Sequence, residues 1–531
     1  MELVGIVGSG ATSVYAPIIV YEGKESLVKE ENLVVIEDSK RGSKYLGVIR
    51  QLKRLDPFLN PWQRTTYVDK PELVNSGTFP HSVGYIHIIG MLSSEGELSQ
   101  SLLPPNPGSK VLLIQSPSDI PELKLGEGLV IGKHKFSGIE IPISKESLRY
   151  HILVVGATGV GKSRLVTALI REVIKRTDWS VIVFDHSGMD YVPFFSKEHV
   201  VNSSDIVIDP IVVTELIFKL LGGGDKYSEA YILLATTLYM ACMSSYGGKL
   251  EECSGIKELC SDSSEGSDLT KFLGNSLPSS RRKVMSRTVS LDKDSVIGLV
   301  SKLVRDELLE ELAKSKLVWD KECYSRVLSV AVPLLGGKDL TQSKFQILLN
   351  LRVGNALFNY LSNRYLLAKD IVSRAFSSRL VIVDLSTEHT EVRRYVVTSV
   401  LQYLWELIDT NRRPVNTLVV IDEAHNYACR YCKPSIDAIS RTAREGRKWG
   451  LGLVLATQRV IDIDTDVRNN INTVFFSKLQ TAGDYENISS FMSLAGVREE
   501  YLSTLGRREF FLAGLGNPLG IPVLIKVSKV G

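Results

Sequence analysis

A glycine-rich segment that ends in lysine and serine constrains the fold of this chain more than any other feature. Residues 156–163 read GATGVGKS, follow the apolar run HILVV at 151–155 and precede a helical pattern. A strand, a glycine loop and a helix in this order form a phosphate-binding loop (P-loop), in which backbone N–H groups and the helix N-terminus face the phosphates. A glycine-rich turn with a chance lysine is the alternative, but it leaves the complete pattern and its flanks unexplained. We therefore predict that the chain binds a nucleoside triphosphate, and we expect ATP.

Each residue type in this loop has a chemical role. The glycines let the backbone curl tightly, and Lys162 adds a mobile positive charge on which catalysis should depend. The Ser163 hydroxyl is placed to bind Mg²⁺, a hard cation that prefers oxygen ligands. The predicted nucleotide-binding residues are Gly156, Ala157, Thr158, Gly159, Val160, Gly161, Lys162, Ser163 and Arg164.

An acidic pair lies far downstream of the P-loop. The run LVVI at 418–421 is typical of a buried parallel strand, and it ends in Asp422 and Glu423. This is a Walker B pattern, in which Asp422 is predicted to hold Mg²⁺ and Glu423 to orient and deprotonate the attacking water. An ordinary acidic cap between a strand and a helix is the alternative, which the P-loop upstream disfavours.

Short apolar runs alternate with helical segments along the chain, a pattern that indicates a mostly parallel sheet covered on both faces. Ligands of such sheets bind at the carboxyl ends of the strands. Gln458 follows one of these runs, so it is expected beside the phosphates, where it either senses the γ-phosphate or simply ends the strand. The five predicted strands are 151–155, 181–184, 380–383, 418–421 and 451–456.

A basic cluster, RTAREGRKWG at 441–450, precedes the strand that leads to Gln458. Arg444 and Arg447 are three residues apart and so share one face of a helix. An arginine that a neighbouring subunit inserts against the transferring phosphoryl group raises the rate by roughly 10³- to 10⁵-fold. We predict that role for Arg444 and Arg447, with a solvated basic helix end as the alternative.

Together these segments resemble the HerA-type hexameric DNA translocases, archaeal P-loop ATPases of the HerA/FtsK group. The resemblance implies an α/β RecA-like P-loop ATPase core with a small N-terminal β-barrel and a helical insertion. Relatives place an arginine just before the P-loop strand, where this chain has Tyr150, with Arg149 beside it as a second candidate finger. The matching segments are GATGVGKS at 156–163, the stretch 185–191, IDEAHN at 421–426, and AREGRK at 443–448 followed by ATQR at 456–459.

The resemblance also implies a function. It points to an ATP-driven ring, a homohexamer that translocates on or unwinds duplex DNA with Mg²⁺ as the metal. It further implies that a NurA-type nuclease acts with the ring in DNA end resection and repair. Two alternatives stay open: a DNA-transfer or packaging ATPase of a mobile element or virus, and a nucleotide-gated scaffold for a nuclease. Turnover that is stimulated by DNA would separate a motor from a scaffold.

Residues 1–140 differ in pattern from the rest. Short alternating segments, such as LVVI at 33–36 and YLGVI at 45–49, are separated by Gly, Pro and Asn turns, which is typical of a small β-barrel. We therefore predict an N-terminal barrel over 1–140 and an ATPase core over 141–531.

The stretch 205–370 is mostly helical in pattern, including Ala230 to Met243 and Ser295 to Leu312. It is predicted to form a helical subdomain inserted in the core. Within it, residues 244–285 are rich in Ser, Gly and charged residues, so we expect an exposed or mobile loop there.

The net charge is only +3, which neither supports nor excludes DNA binding, because what counts is the set of basic residues that line a pore. No apolar run approaches the roughly 20 residues of a membrane span, and the N-terminus lacks a signal-peptide pattern. We therefore expect a cytoplasmic protein without a membrane partner.

Six cysteines include the pair Cys429 and Cys432 just after the Walker B segment, and Cys253 with Cys260 in the predicted loop. We expect free thiols. A disulfide and a zinc site are the alternatives, although no histidines share the required spacing.

Overall fold

Two units make up the described part of the chain. Met1–Val183 forms the first unit together with Asn411–Gly531, and Phe184–Thr410 forms the second. The computed structural model describes residues 1–56, 58–59, 62, 64, 66–70, 80–222, 226–249, 253–261, 307–335 and 339–528.

The strands within the described residues are β1 (Glu2–Val7), β2 (Tyr15–Val20), β3 (Leu33–Asp38), β4 (Ser43–Leu55), β5 (His81–Leu92), β6 (Leu98–Ser99), β7 (Lys110–Leu113), β8 (Leu129–His134), β9 (Glu140–Ile143), β10 (Ile152–Val155), β11 (Ser180–Asp185), β12 (Val200–Asn202), β13 (Leu380–Asp384), β14 (Thr417–Ile421), β15 (Leu451–Thr457), β16 (Thr473–Phe476), β17 (Glu509–Gly514) and β18 (Val523–Val527).

The α-helices within the same residues are α1 (Thr66–Asp69), α2 (Lys162–Arg176), α3 (Pro210–Leu220), α4 (Lys226–Met243), α5 (Cys253–Ser261), α6 (Glu307–Ser315), α7 (Lys321–Leu334), α8 (Asp339–Arg352), α9 (Asn355–Leu361), α10 (Ala368–Ser378), α11 (Thr390–Asn411), α12 (Ser435–Glu445), α13 (Thr465–Arg468), α14 (Ala482–Phe491) and α15 (Glu499–Ser503). None of these described helices combines the length and hydropathy that a membrane crossing needs.

The first unit begins with a closed antiparallel β-barrel. β1 pairs with β2 and β7, β7 with β3, β3 with β4, and β4 with β5. β2 then pairs with β5 and closes the circle. Buried aliphatic side chains such as Val34, Ile36 and Ile49 fill its interior. The predicted barrel is therefore present, and closure leaves no free edge among these strands.

Nine strands of the first unit form a larger sheet, in the order β11–β14–β15–β10–β16–β17–β18–β8–β9. β14, β15, β10 and β16 are parallel neighbours, and every residue in them is buried. Burial on both faces is the reason that these strands read as continuous apolar runs. β17, β18, β8 and β9 extend the sheet in antiparallel pairs. The predicted fold class, a RecA-like α/β core with an N-terminal barrel and a helical insertion, is confirmed.

β8 and β9 lie around the proposed boundary at residue 140, yet they pair with the large sheet and not with the barrel strands. The division at 140 stays a prediction, and the structure adds that the barrel strands themselves end at Leu113.

A buried arginine ties the barrel to the rest of the first unit. Arg50 of β4 and Glu31 are 1% and 2% exposed, and they form two hydrogen bonds, Nε to Oε1 at 2.8 Å and Nη2 to Oε2 at 3.0 Å. The same guanidinium donates to the carbonyl oxygens of Ala495 and Pro522. A buried charge is tolerated only when it is paired and hydrogen-bonded, and these four bonds meet that need.

The second unit is mostly helical. β12 and β13 form a parallel pair, with Val200 opposite Ile382, and helices α3 to α10 lie between them in sequence. The helix predicted at Ala230 to Met243 is the C-terminal part of α4. Of the helix predicted at Ser295 to Leu312, the part before residue 307 lies outside the described residues, and α6 covers the remainder. The limits 205 and 370 of the insertion stay a prediction.

The expectation of free thiols is wrong, because the cysteines form three disulfides. Two of them hold α5 against α4 and α7, which buries Cys253 and Ile256. Residues 253–261 are therefore helical and not part of the exposed loop predicted for 244–285, whose remainder after 261 lies outside the described residues. Composition was misleading because a crosslink stabilises a segment that is otherwise poor in apolar residues. The pairs are Cys242–Cys253, Cys260–Cys323 and Cys429–Cys432.

Candidate functional site

Three parallel strands end side by side at the carboxyl edge of the large sheet. Val155, the last residue of β10, is paired with Thr457 of β15. Ile421, the last residue of β14, is paired with Leu455 of β15. The P-loop, the acidic pair and the glutamine of the sensor strand each follow one of these strands. The fold therefore brings three predicted segments to the edge at which α/β sheets bind ligands.

The backbone of the P-loop is already curled for an anion. Gly159 and Gly161 have φ angles of 81° and 105°, a left-handed region that favours glycine. The Ala157 N–H donates to the Lys478 carbonyl oxygen at 2.7 Å, which fixes the loop to the segment after β16. Helix α2 begins directly afterwards at Lys162, so the N–H groups of its first turn open towards the loop.

The lysine of the P-loop lies inside its curl. The Lys162 ammonium donates to the carbonyl oxygens of Gly156 at 2.9 Å and Ala157 at 3.5 Å, and the side chain is buried. Ser163 and Arg164 follow in the first turn of α2, and both are half-buried. The positive charge is therefore held where a P-loop lysine must lie to reach β- and γ-phosphates.

A chain of hydrogen bonds joins the three segments. The Thr158 hydroxyl of the P-loop donates to Gln458 Oε1 at 2.8 Å, and Gln458 Nε2 donates to Glu423 Oε1 at 2.7 Å. The amide of Gln458 is thus oriented by both neighbours, with its oxygen towards the P-loop and its nitrogen towards the acidic pair. A change at the P-loop can reach Glu423 through this one side chain.

His425 is a site residue that the sequence reasoning missed. Its Nδ1 lies 3.4 Å from Glu423 Oε2 and 3.2 Å from the Thr457 hydroxyl. The Asn426 amide donates to Nε2 at 3.4 Å, so the imidazole proton is on Nδ1 and is donated to the Thr457 hydroxyl. Glu423 itself has a left-handed φ of 44°. Gln458 holds one oxygen of its carboxylate, whereas the buried Oε2 accepts no hydrogen bond from the described residues.

The oxygen donors beside the P-loop match the chemistry of Mg²⁺. Asp422 is 3% exposed and comes directly after β14 at the carboxyl edge. Ser163 lies in the first turn of α2, which follows the P-loop at the same edge. A carboxylate and a hydroxyl, together with phosphate oxygens and water, are the ligands that this hard cation takes. The residues present therefore fit the metal.

The structure does not bring Arg444 and Arg447 to this edge. They lie at the end of α12 and in the 3₁₀ helix Gly446–Trp449, just before β15 begins, and both are exposed. The Arg447 guanidinium lies 4.2 Å from the centre of the Tyr150 ring, which precedes β10. β15 has seven residues, so about 20 Å of strand, at roughly 3.3 Å per residue, separates these arginines from the carboxyl edge.

A buried histidine couples the arginine segment to the P-loop strand. His151 directly precedes β10 and is 1% exposed. Its Nδ1 accepts from the Leu453 N–H at 3.1 Å, and its Nε2 lies 3.0 Å from the Ala443 carbonyl oxygen. Nε2 must therefore carry the proton. One neutral imidazole thus bridges β15 and the last turn of α12, next to Arg444.

Acidification is expected to destabilise the first unit through His151. Burial lowers the pKa of His151 from 6.5 to about 4, so between these values the unfolded chain binds a proton that the folded one does not. The stability that depends on neutral His151 is therefore fully present above about pH 6.5, and it is lost as the pH falls towards about 4. At about pH 5 the loss should be on the order of 2 kcal/mol. Urea unfolding at about pH 8 and pH 5 measures it.

The matched control for this prediction is His151→Gln, which removes the titrating group. Between the two pH values, its free energy of unfolding should fall by about 2 kcal/mol less than that of the wild type. An identical pH dependence in both proteins would show that His151 does not contribute.

Comparison with known proteins gives a consistent picture. A family model described as "Helicase HerA, central domain" matches residues 129–404. "DNA double-strand break repair helicase HerA" of Sulfurisphaera tokodaii is 24% identical over 82% of this chain and 76% of its own length. "Probable DNA double-strand break repair helicase HerA" of Methanocaldococcus jannaschii is 24% identical over 84% of this chain and 85% of its own. The solved structure of VirB4 of Thermoanaerobacter pseudethanolicus matches 76% of this chain and 97% of its own length, with 17% identity and a TM-score of 0.41.

Proposed function

The chain belongs to the HerA helicase family, and on this premise we propose that it is a hexameric ring that hydrolyses ATP between its subunits to move along duplex DNA. As a family member it is an ATP-hydrolysing helicase or translocase. One observation carries the proposal of a ring: within one chain, the candidate arginines and the P-loop lie at opposite ends of β15. A nucleotide site that uses these arginines is complete only when a second subunit supplies them.

The residues at the carboxyl edge have different roles in hydrolysis. The P-loop N–H groups and Lys162 bind the phosphates and neutralise their charge. Glu423, held by Gln458, orients the attacking water and accepts its proton. When bound, Mg²⁺ would be held by Ser163 and Asp422, and it would neutralise charge that develops on the phosphate oxygens.

Gln458 is proposed to report the state of the nucleotide. It lies between Thr158 of the P-loop and Glu423, with hydrogen bonds of 2.8 and 2.7 Å. Loss of the γ-phosphate would change the position of Thr158, and this change would pass through the amide to the end of β15. A loop change of this kind is the sort of switch that NTPases use to drive movement.

The arginines are proposed to act in trans. Arg444 and Arg447 are exposed at the amino edge, and His151 and Tyr150 hold their segment against the P-loop strand of their own subunit. In a ring the amino edge of one subunit would face the nucleotide of the next. A guanidinium then offers a planar set of donors to the transferring phosphoryl group.

A role in DNA end resection beside a NurA-type nuclease is the finer part of the proposal. The names of the relatives from both organisms refer to the repair of DNA double-strand breaks. A ring that translocates on duplex DNA would deliver the DNA ends to a nuclease partner. Co-purification of the two proteins and cleavage of duplex ends that depends on ATP would support this partnership, whereas nuclease activity indifferent to ATP would contradict it.

Steady-state ATP hydrolysis with and without linear duplex DNA tests the proposed motor. We expect stimulation of several-fold by DNA. We also expect this stimulation to fall steeply between about 50 and 200 mM salt, since phosphate contacts release counterions. Slow hydrolysis that is indifferent to DNA at every salt concentration would contradict the motor and favour a nucleotide-gated scaffold.

A further inference from the structure

Arg508 lies beside the P-loop although it is far from it in sequence. It directly precedes β17, which pairs antiparallel with β16 so that Phe511 is opposite Phe476. β16 in turn pairs with β10, and Phe476 is opposite Val155, the last residue before the P-loop. The start of β17 therefore lies at the same carboxyl edge as the predicted nucleotide site.

The backbone of Arg508 is anchored to the P-loop itself. Its N–H donates to the Val160 carbonyl oxygen at 2.7 Å, and its own carbonyl oxygen accepts from the Val527 N–H at 2.9 Å. Its φ is 64°, a left-handed conformation that is uncommon for a residue with a side chain. Two hydrogen bonds thus hold an arginine in an unusual conformation, with the P-loop as one of the two partners.

The side chain of Arg508 runs along the last glycine of the loop. A Cβ added to Gly161 would lie 3.1 Å from Arg508 Cγ and 3.6 Å from its backbone nitrogen. Gly161 is the residue from which helix α2 begins, so the stem of the arginine packs at the N-terminus of that helix. An anion bound there would be within the reach of a guanidinium.

The charge of Arg508 has no paired carboxylate within the described part of the chain. Its guanidinium forms no hydrogen bond or ion pair with the residues of that part. The adjacent carboxylate, Glu509, is already engaged by Lys135 at 2.8 Å and by Lys526 at 3.3 Å. A half-buried guanidinium beside the P-loop is available to pair with an anion, and the phosphates of a nucleotide are the anions expected there.

We propose that Arg508 binds the polyphosphate of the nucleotide held by the P-loop of its own subunit. The inference rests on the P-loop as the nucleotide site. It differs from the role of Arg444 and Arg447, because Arg508 acts in cis and contributes before any ring closes. Its contribution should therefore appear in nucleotide affinity, for diphosphate and triphosphate alike.

Equilibrium binding of ATP, ADP and adenosine to three proteins tests this inference. Arg508→Gln keeps the stem against Gly161 and removes the charge, and Arg507→Ala is the matched control at the exposed neighbouring arginine. We expect Arg508→Gln to weaken ATP and ADP roughly 10- to 150-fold, as for a lost hydrogen bond to a charged group. Adenosine binding should not change, and Arg507→Ala should match the wild type throughout.

Equal ATP affinity of the wild type and Arg508→Gln would overturn the inference. A loss of adenosine affinity as large as the loss of ATP affinity would also overturn it, because adenosine has no phosphate. Arg508→Lys keeps the charge and should recover part of the affinity, so it provides a second comparison if the Gln variant folds poorly. These measurements need no DNA. A wild type that binds ATP without DNA-stimulated turnover would contradict the motor and leave the Arg508 comparison intact.

Discussion

Replacing Glu423 by Gln is expected to lower the rate of ATP hydrolysis by about 10²- to 10⁴-fold, the usual contribution of a general base. A glutamine at 423 can still accept the hydrogen bond that Gln458 Nε2 donates to Oε1 at 2.7 Å. The P-loop and the Thr158–Gln458 contact should therefore persist, and ATP affinity should change little. Single-turnover hydrolysis and equilibrium ATP binding, both measured in the presence of duplex DNA, separate the two effects.

The control for this variant is Glu486→Gln, which changes an exposed carboxylate on α14. It should hydrolyse ATP at the wild-type rate. A Glu423→Gln enzyme that still turns over ATP normally would show that the proton acceptor is another group, and the acidic pair would have to be reassigned. A parallel loss of ATP binding would instead indicate that Glu423 supports the structure of the loop.

The second large effect is expected at Arg447. Arg447→Ala should lower hydrolysis in the assembled ring by about 10³- to 10⁵-fold, if this residue stabilises the transition state in the neighbouring subunit. Arg444→Ala is tested in parallel, because both arginines lie on the same exposed segment. Lys448→Ala is the control, since it removes an exposed charge from the same 3₁₀ helix.

Mixed rings decide whether the arginine acts in trans. A ring of Arg447→Ala subunits and a ring of Glu423→Gln subunits are each expected to be inactive. When they are mixed in equal amounts, about one interface in four joins an intact Glu423 to an intact Arg447 from its neighbour. Hydrolysis should therefore reappear on mixing. If every mixture stays inactive although subunits exchange, Arg447 does not act in trans.

The strands of the core could be predicted because parallel strands buried on both faces leave a strong signal. Runs such as 151–155 and 418–421 are apolar throughout and end in polar residues. Because the carboxyl ends of parallel strands meet at one edge, the convergence of Lys162, Glu423 and Gln458 also followed from the pattern. The hydrogen bonds of Gln458 to Thr158 and Glu423 left no signal in the sequence, because they depend on side-chain conformation.

Other site features left no local signal in the sequence. Arg508 stands next to Arg507 in a stretch with no motif, and its place beside Gly161 depends on the antiparallel pairing of β17 with β16. The role of His151 depends on contacts with residues about three hundred positions away. The disulfides of α5 were missed for the same reason, since Cys260 pairs with Cys323 across a separation of 63 residues.

The buried Arg50 limits how freely the barrel can be exchanged during evolution or in a chimera. Its guanidinium satisfies Glu31 inside the barrel and also the carbonyl oxygens of Ala495 and Pro522, which belong to the C-terminal part of the chain. A barrel transplanted from a relative would have to bring an equivalent donor, and a barrel excised alone would expose an arginine adapted to two missing acceptors. A substitution at residue 50 would therefore disturb both the barrel and the C-terminal segments that it contacts.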